Sequence, residues 1–313
     1  MKIEEKFQRN ILMANHTTFR IGGPAKYFFV AQTKEELIES LKWTKQNKIE
    51  YFILGGGSNL LVSDKGFDGL VIKYQCSNFK IKKNRSECIV EAEAGTPLIK
   101  IILETTKNGY SGAEWGFGIP GTVGGAICGN AGRLGQDISQ VVEKVLILDE
   151  SLQEVELKKE DCGFSYRESL FKKKNWIILS IKMIFEKKEQ NRIDEVLNEA
   201  KIVVRAHPPF PSPGCIFKNY EIKIDNGALI MKHPELRLRE RKGKIGAGYL
   251  IDECGIKGNQ IGGAKIWESH ANYIVNVADA KSSDVITLID LCKRSVKEKF
   301  GVELEEEIRL LGF

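Results

Sequence analysis

The chain has 313 residues and a mass of 35.2 kDa, with 42% apolar and 28% charged side chains. That is the make-up of a globular protein of about two average domains, and it excludes a disordered, collagenous or coiled-coil chain. Forty-seven basic residues against 42 acidic ones leave a net charge of +5, which by itself singles out no polyanionic partner.

No stretch approaches the roughly 18–20 uninterrupted apolar residues that span a bilayer, and the opening MKIEEKFQRN carries charge with no apolar core behind it. The expectation is an untargeted, soluble chain. Seven cysteines, at 76, 88, 128, 162, 215, 254 and 292, form no CxxC pair, and their odd number leaves a thiol over, so a reducing cytoplasm is expected. The sequons at Asn15 and Asn84 then carry no glycan.

In chain order, the β-branched and aromatic runs at 26–31, 51–54, 69–73, 88–94 and 145–149 have strand length and turn-like ends. A helix is expected over 33–47, opened by Thr33 and Glu36 as a capping box, with Leu37, Ile38 and Leu41 on one face. Pro97 opens a second helix that ends near Gly109. Residues 186–205 pass from a charged connection into an amphipathic helix ahead of the proline-rich HPPFPSPG, which places a domain boundary near 188. A helix over 283–300, stopped by Gly301, and a final strand in VELEEEIRLL complete an α+β reading with no internal repeat.

Two segments are richer in glycine than packing asks for. In YFILGGGSNLLV a strand runs into Gly55, Gly56 and Gly57, and consecutive glycines can turn successive N–H groups toward one point, a nest for phosphate oxygens. GFGIPGTVGGAICGNAG holds seven glycines between Gly116 and Gly132. Its formal GxGxxG has Pro120 inside it and no apolar strand leading in, so it is no Rossmann turn, and no P-loop occurs. The two loops, about 60 residues apart, suit the two phosphates of one extended dinucleotide.

TTFRIGGPA (17–25), LGGGSNLL (54–61), GIPGTVGGAICGNAG (118–132), YRES (166–169), GCIFKN (214–219), AGYLIDECGIKGNQIGGA (247–264), HANYIVN (270–276) and the terminal GVELEEEIRLLG resemble, in order, the UDP-N-acetylenolpyruvoylglucosamine reductases, the MurB family. The resemblance runs from about residue 15 to the end. It implies an FAD-binding module of the vanillyl-alcohol-oxidase (PCMH) type, residues 1–188 joined by the closing strand 302–313, and a smaller α/β substrate-binding domain over 189–301. It implies noncovalent FAD lined by Gly55, Gly56, Gly57, Ser58, Asn59, Leu60, Ile119, Pro120, Gly121, Thr122, Gly124, Gly125, Asn130 and Gly132. It implies, further, NADPH as co-substrate, hydride passing through the flavin to an enolpyruvyl carbon, and a product, UDP-N-acetylmuramate, used for peptidoglycan.

That chemistry builds enolate charge beside a carboxylate, so it needs cationic electrostatics there and a proton for the α carbon. By resemblance Arg167 grips the carboxylate, Glu307 assists at it, and Cys215, where the family usually has serine, donates the proton; a thiol is a stronger acid than a hydroxyl. Strand alternation puts Glu305 on the face of Glu307, so it cannot select between them. Tyr166, Lys218, Asn219, Lys257, His270 and Arg309 align with contacts to the UDP-sugar. Histidines 16, 207, 233 and 270 show no ligand spacing, so no metal is expected.

The chain departs from the family pattern at Tyr220, where proline is usual, at Trp267, and in an apparent insertion over about 221–246, basic at Arg237, Arg239, Arg241, Lys242 and Lys244. The long tyrosine-bearing loop of one branch is absent, as in the shorter type II branch. Two other readings stand beside this one: a flavoprotein of the same fold acting on another substrate, and a noncatalytic nucleotide- or RNA-binding module using KKNR (82–85), KKK (172–174) and the 237–244 cluster. The ordered motifs favour the reductase, with a small-molecule substrate, no nucleic acid, no membrane and a monomeric state.

Overall fold

The computed structural model describes residues 2–222 and 227–313; four residues of the expected insertion, 223–226, lie outside the described ones. The chain separates into two compact units, Met1–Asn10 with Lys26–Gly56 and Gly69–His207, and Ile11–Ala25 with Gly57–Asp68 and Pro208–Phe313. The expected division at 188 differs from this one. The amphipathic helix α5 (Gln190–Arg205) belongs to the first unit, where Gly118 is so close to Val204 that a Cβ would stand 2.3 Å from its Cγ2.

The first unit is built on two sheets. One runs in the order Gln8–Leu12, Pro24–Ala31, Phe67–Tyr74, Tyr51–Leu54, and its last pair is parallel, Ile53 opposite Ile72. The other is antiparallel, Glu154–Lys158, Val142–Leu148, Ile177–Lys187, Glu87–Glu93, Phe79–Lys83, with Tyr110–Ser111 also paired to Ile177–Lys187. Val90 and Met183, paired across it, are both fully buried, and alternate residues of each strand follow them inward. Helix α1 (Lys34–Asn47) begins at Thr33, whose hydroxyl accepts from the Glu36 N–H at 3.1 Å, while the Glu36 carboxylate takes the N–H of Gln32, one residue further out than a capping box requires. Helix α2 (Leu98–Thr106) buries Leu98, Ile101, Ile102 and Thr105, the one-face spacing of an amphipathic helix. Helices α3 (Val123–Cys128) and α4 (Leu170–Lys173) are short, of six and four residues.

The second unit packs α8 (Ala247–Glu253) and α9 (Ser282–Phe300) with a three-stranded antiparallel sheet, Gln260–Ile261, Ala264–Ile266 and Ile274–Asn276. Helix α9 buries Val285, Leu288, Ile289, Cys292 and Val296, and Gly301 ends it in the left-handed region. Burial pushes the Cys292 thiol up to about 12, so it behaves as a small apolar side chain. The apparent insertion folds as α6 (Gly227–Lys232) and α7 (Glu235–Arg239) between short strands at Tyr220–Glu221 and Lys244–Ile245. From 227 to 246 it carries six cations against two carboxylates, so it holds most of the chain's net positive charge.

The closing strand is shorter than expected. Only Arg309–Leu311 forms a strand, parallel to Leu60–Val62 of the second unit. The residues before it meet the 216–218 backbone instead, where Glu307 N–H donates to Ile216 C=O at 2.7 Å and Lys218 N–H to Glu305 C=O at 2.9 Å.

Candidate active site

In the first unit the two glycine-rich loops come together as their sequence suggests. Leu98 N–H donates to Gly121 C=O at 3.1 Å, and the N–H groups of Val123 and Gly124 bond Thr96 and Ala94 C=O at 2.8 Å, which ties the second loop to the strand end before α2. A Cβ on Gly56 would stand 2.6 Å from Gly121 Cα, and one on Gly55 2.9 Å from Thr122 Oγ1. Gly118 (φ 76°) and Gly121 (φ 120°) have backbone angles that favour glycine. Just before them in the chain Trp115 is fully buried, its indole N–H on Gly112 C=O at 2.9 Å, and Glu114 takes Ser111 Oγ and Gly112 N–H at 2.5 and 2.6 Å. Sequence reasoning missed this local network.

Thr122 caps α3, accepting from Gly125 N–H at 3.2 Å, and Gly125 is exposed: a Cβ there would find only Thr122 Oγ1, at 3.5 Å. Close-packed glycine backbone, a short hydroxyl cap and an open first helical turn make a neutral, donor-rich cradle, which fits a diphosphate held by N–H groups rather than by side-chain cations. Pro120 is exposed and Ile119 half-buried beside it.

In the second unit Gly57 (φ 64°) has no room for a Cβ, which would lie 2.1 Å from His16 C=O. Asn59, expected at the cofactor, uses its amide to hold Glu307 C=O at 3.0 Å, and its own C=O accepts Arg309 N–H at 3.0 Å. Leu60 is buried at the head of the parallel pair.

Arg167 lies in a turn of the first unit closed by two 3.1 Å bonds, Ser165 N–H to Glu168 C=O and Glu168 N–H to Ser165 C=O. Its φ is +57°, unusual for a residue with a side chain. The guanidinium stacks on Tyr166, 5.3 Å from the ring centre, and donates through Nη2 to Gly132 C=O at 2.7 Å. Asn130, 2% exposed and also expected at the cofactor, donates from its amide to Ser165 C=O at 2.8 Å and so braces the arginine turn. Gly132 has Gln136 C=O and Arg167 Nη1 where a Cβ would go, at 2.4 and 3.1 Å.

The remaining residues expected to be catalytic lie in the second unit. Half-buried Cys215 bridges to Tyr273, Phe217 to Glu306, and Ile216 N–H bonds Asn272 C=O at 2.8 Å, so three segments remote in sequence meet at 215–218. The terminal carboxylates that alternation could not tell apart separate here. Exposed Glu305 pairs with Lys218 at 2.6 Å and Glu306 with Lys293 at 2.5 Å, while half-buried Glu307 has its N–H on Ile216 and its C=O on Asn59. Lys218, expected on the substrate, is thus engaged by Glu305.

Asn272 was not singled out, although it sits in HANYIVN. It is 3% exposed, and its side chain accepts from Phe217 N–H and donates to Phe217 C=O, both at 2.9 Å. Asn272→Ala leaves both backbone groups buried and unpaired; it is expected to destabilise the protein by about 2–4 kcal/mol, read as a lower denaturant midpoint. Wild-type stability in that variant would remove Asn272 from the framework. Asn219 caps Ala247 N–H at 3.2 Å, Lys257 pairs with Asp252 at 2.7 Å, and Arg309 is exposed. The His270 ring lies 4.9 Å from that of Tyr273, and partial burial lowers its pKa. Tyr220, in the proline position, forms a bridge pair with Ile245, and Trp267 meets Phe210 edge-on at 5.6 Å.

Among the described residues no group of three or more His, Cys, Asp or Glu could hold a metal, and no helix is long and apolar enough to cross a membrane. The α+β fold and paired glycine turns define a dinucleotide-binding flavoprotein: residues 25–153 match the family described as FAD binding domain, and 206–311 match the UDP-N-acetylenolpyruvoylglucosamine reductase C-terminal domain. Curated UDP-N-acetylenolpyruvoylglucosamine reductases from Caldanaerobacter subterraneus subsp. tengcongensis and Caldicellulosiruptor bescii are each 38% identical, over 99% and 98% of this chain and 95% and 91% of theirs. The crystal structure of UDP-N-acetylenolpyruvylglucosamine reductase (MurB) from Thermus caldophilus superposes with a TM-score of 0.77 at 29% identity, covering 97% of this chain and 99% of that one. The chain belongs to the UDP-N-acetylenolpyruvoylglucosamine reductase family.

Proposed function

We propose that this protein reduces UDP-N-acetylglucosamine enolpyruvate to UDP-N-acetylmuramate, with FAD bound noncovalently and NADPH as reductant, as a cytoplasmic monomer in peptidoglycan precursor synthesis. The observation that carries the reading is the backbone register at 215–218, which seats the segment holding Cys215 against the one holding Glu307. Bound FAD supplies the hydride carrier between the two substrates. The chain's residues supply the rest. Gly55–Leu60 and Ile119–Gly125 hold the diphosphate through backbone donors, with Asn130 and Gly132 at the edge of that cradle. Arg167 grips the enolpyruvyl carboxylate and strengthens its hold as enolate charge grows; Glu307 assists there; Cys215 gives the proton to the α carbon. Tyr166, Lys218, Asn219, Lys257, His270 and Arg309 contact the UDP-sugar, for which Lys218 and Lys257 exchange the Glu305 and Asp252 carboxylates for phosphate.

The test is anaerobic. The protein is reduced with NADPH and then mixed with the enolpyruvyl substrate while the flavin absorbance is followed. Bleaching followed by recovery is the expected result. Bleaching without recovery would keep the flavoprotein and overturn the substrate, favouring a same-fold oxidoreductase with another acceptor.

A further inference from the structure

Arg167 occupies a backbone conformation that a glycine would take at no cost, in the third position of a tight turn, and the structure shows what compensates. Lys172, whose side chain is only 16% exposed, donates from Nζ to Arg167 C=O at 2.6 Å. Its approach to the Glu168 carboxylate is looser, at 3.8 Å. The peptide carbonyl is therefore its tighter partner. An ammonium carried in by a largely buried side chain fixes the peptide plane that follows Arg167, and so holds the ψ side of a left-handed conformation whose φ is +57°. The turn is held at its other end by Asn130 on Ser165 C=O at 2.8 Å, and just beyond by Ser169 Oγ on Cys128 C=O at 2.6 Å. Those two anchors fix where the turn sits. Lys172 alone among them acts on Arg167 itself.

We infer that Lys172 is a positioning residue for the reaction: through the Arg167 carbonyl it keeps the arginine backbone left-handed, which aims the guanidinium past Tyr166 at Gly132 C=O, the orientation from which it can take the substrate carboxylate. The inference rests on the proposed role of Arg167. A lysine in a run of three, KKK, reads in the sequence as a solvated cation, and Lys173 and Lys174 beside it fit that reading; only the fold turns Lys172 inward. Without it the turn relaxes toward an ordinary negative φ and the guanidinium swings out of line. A misplacement of that kind costs about tenfold to hundredfold in rate when the displaced group must meet a developing charge.

The experiment uses the full-length holoprotein and compares Lys172→Met, Lys172→Arg, Arg167→Ala and the double variant Lys172→Met/Arg167→Ala. Flavin reduction by NADPH and flavin reoxidation by the enolpyruvyl substrate are measured separately, with the flavin spectrum and melting temperature as the check on folding. Lys172→Met is expected to slow reoxidation about tenfold to hundredfold and leave reduction by NADPH unchanged, and Lys172→Arg to restore most of the loss, since a guanidinium can still donate to the carbonyl. In the Arg167→Ala background Lys172→Met is expected to change nothing further, because a residue that acts through another has no effect once that other is gone. Losses that multiply in the double variant overturn the inference, and so does a Lys172→Met protein that reoxidises at the wild-type rate. An Arg167→Ala protein with full activity instead overturns the role of the arginine, and is told apart by that single variant.

Discussion

Cys215→Ala is expected to leave the reduction of the flavin by NADPH intact and to slow its reoxidation by the enolpyruvyl substrate by about 10²–10⁴-fold, the usual contribution of a general acid in place. Cys215→Ser is expected to keep most of the activity. Hydride addition to the enol ether leaves charge on the α carbon that only a proton can discharge, and in the proposed mechanism the side chain at 215 carries it. A thiol and a hydroxyl each carry a proton that can be donated, whereas alanine offers nothing. The backbone at 215 is fixed independently of the side chain: it bridges to Tyr273, and its neighbour Ile216 is bonded on both sides, to Asn272 and to Glu307. The alanine variant should therefore fold, and the two half-reactions should part company. Wild-type reoxidation in the alanine protein would remove Cys215 from the chemistry and return it to the class of half-buried structural thiols, with Cys128 and Cys254.

Local signals carried the regular elements. The strand at 51–54 and the helix from Thr33 to Asn47 fall where period and capping chemistry place them, because both are decided by residues within a turn of one another. The boundary near 188 and the long closing strand did not, since each depends on a partner far away. Helix α5 reads as a linker's continuation until its Val204 is seen against Gly118, and 302–308 reads as strand until its backbone groups are seen to bond 216–218. The candidate site divides the same way. The glycine turns announce themselves because the residue type is itself the constraint. Asn130 and Asn59 stand inside those motifs, but the sequence does not show which backbone carbonyls their amides hold, those of Ser165 and Glu307, because those partners are remote in the chain. Lys172 and Asn272 left no signal at all beyond their motifs; their roles exist only through the backbone groups they meet.

Two glycines of the cradle are expected to respond to substitution in opposite ways. Gly56→Val puts a branched side chain where Gly121 Cα already stands 2.6 Å from the Cβ position, backbone against backbone, with no side chain that could rotate away. The loops must part, at about 1–3 kcal/mol of overpacking, and the protein is expected to purify colourless and to melt lower than wild type. Gly125→Ala is the opposite case. It lies inside α3, exposed, with only Thr122 Oγ1 near its Cβ position, so alanine relieves the backbone entropy of a helical glycine and should raise the stability of the flavin-free protein by about 0.5–1 kcal/mol. The same methyl stands where the open first turn is proposed to receive the diphosphate, and FAD affinity should fall at least about tenfold, the effect of one displaced charge-assisted hydrogen bond. Stability rising while cofactor affinity falls separates a residue kept small for a ligand from one kept small for packing. If Gly125→Ala retains FAD as tightly as wild type, the diphosphate does not lie against that turn, and glycine at 125 has some other cause.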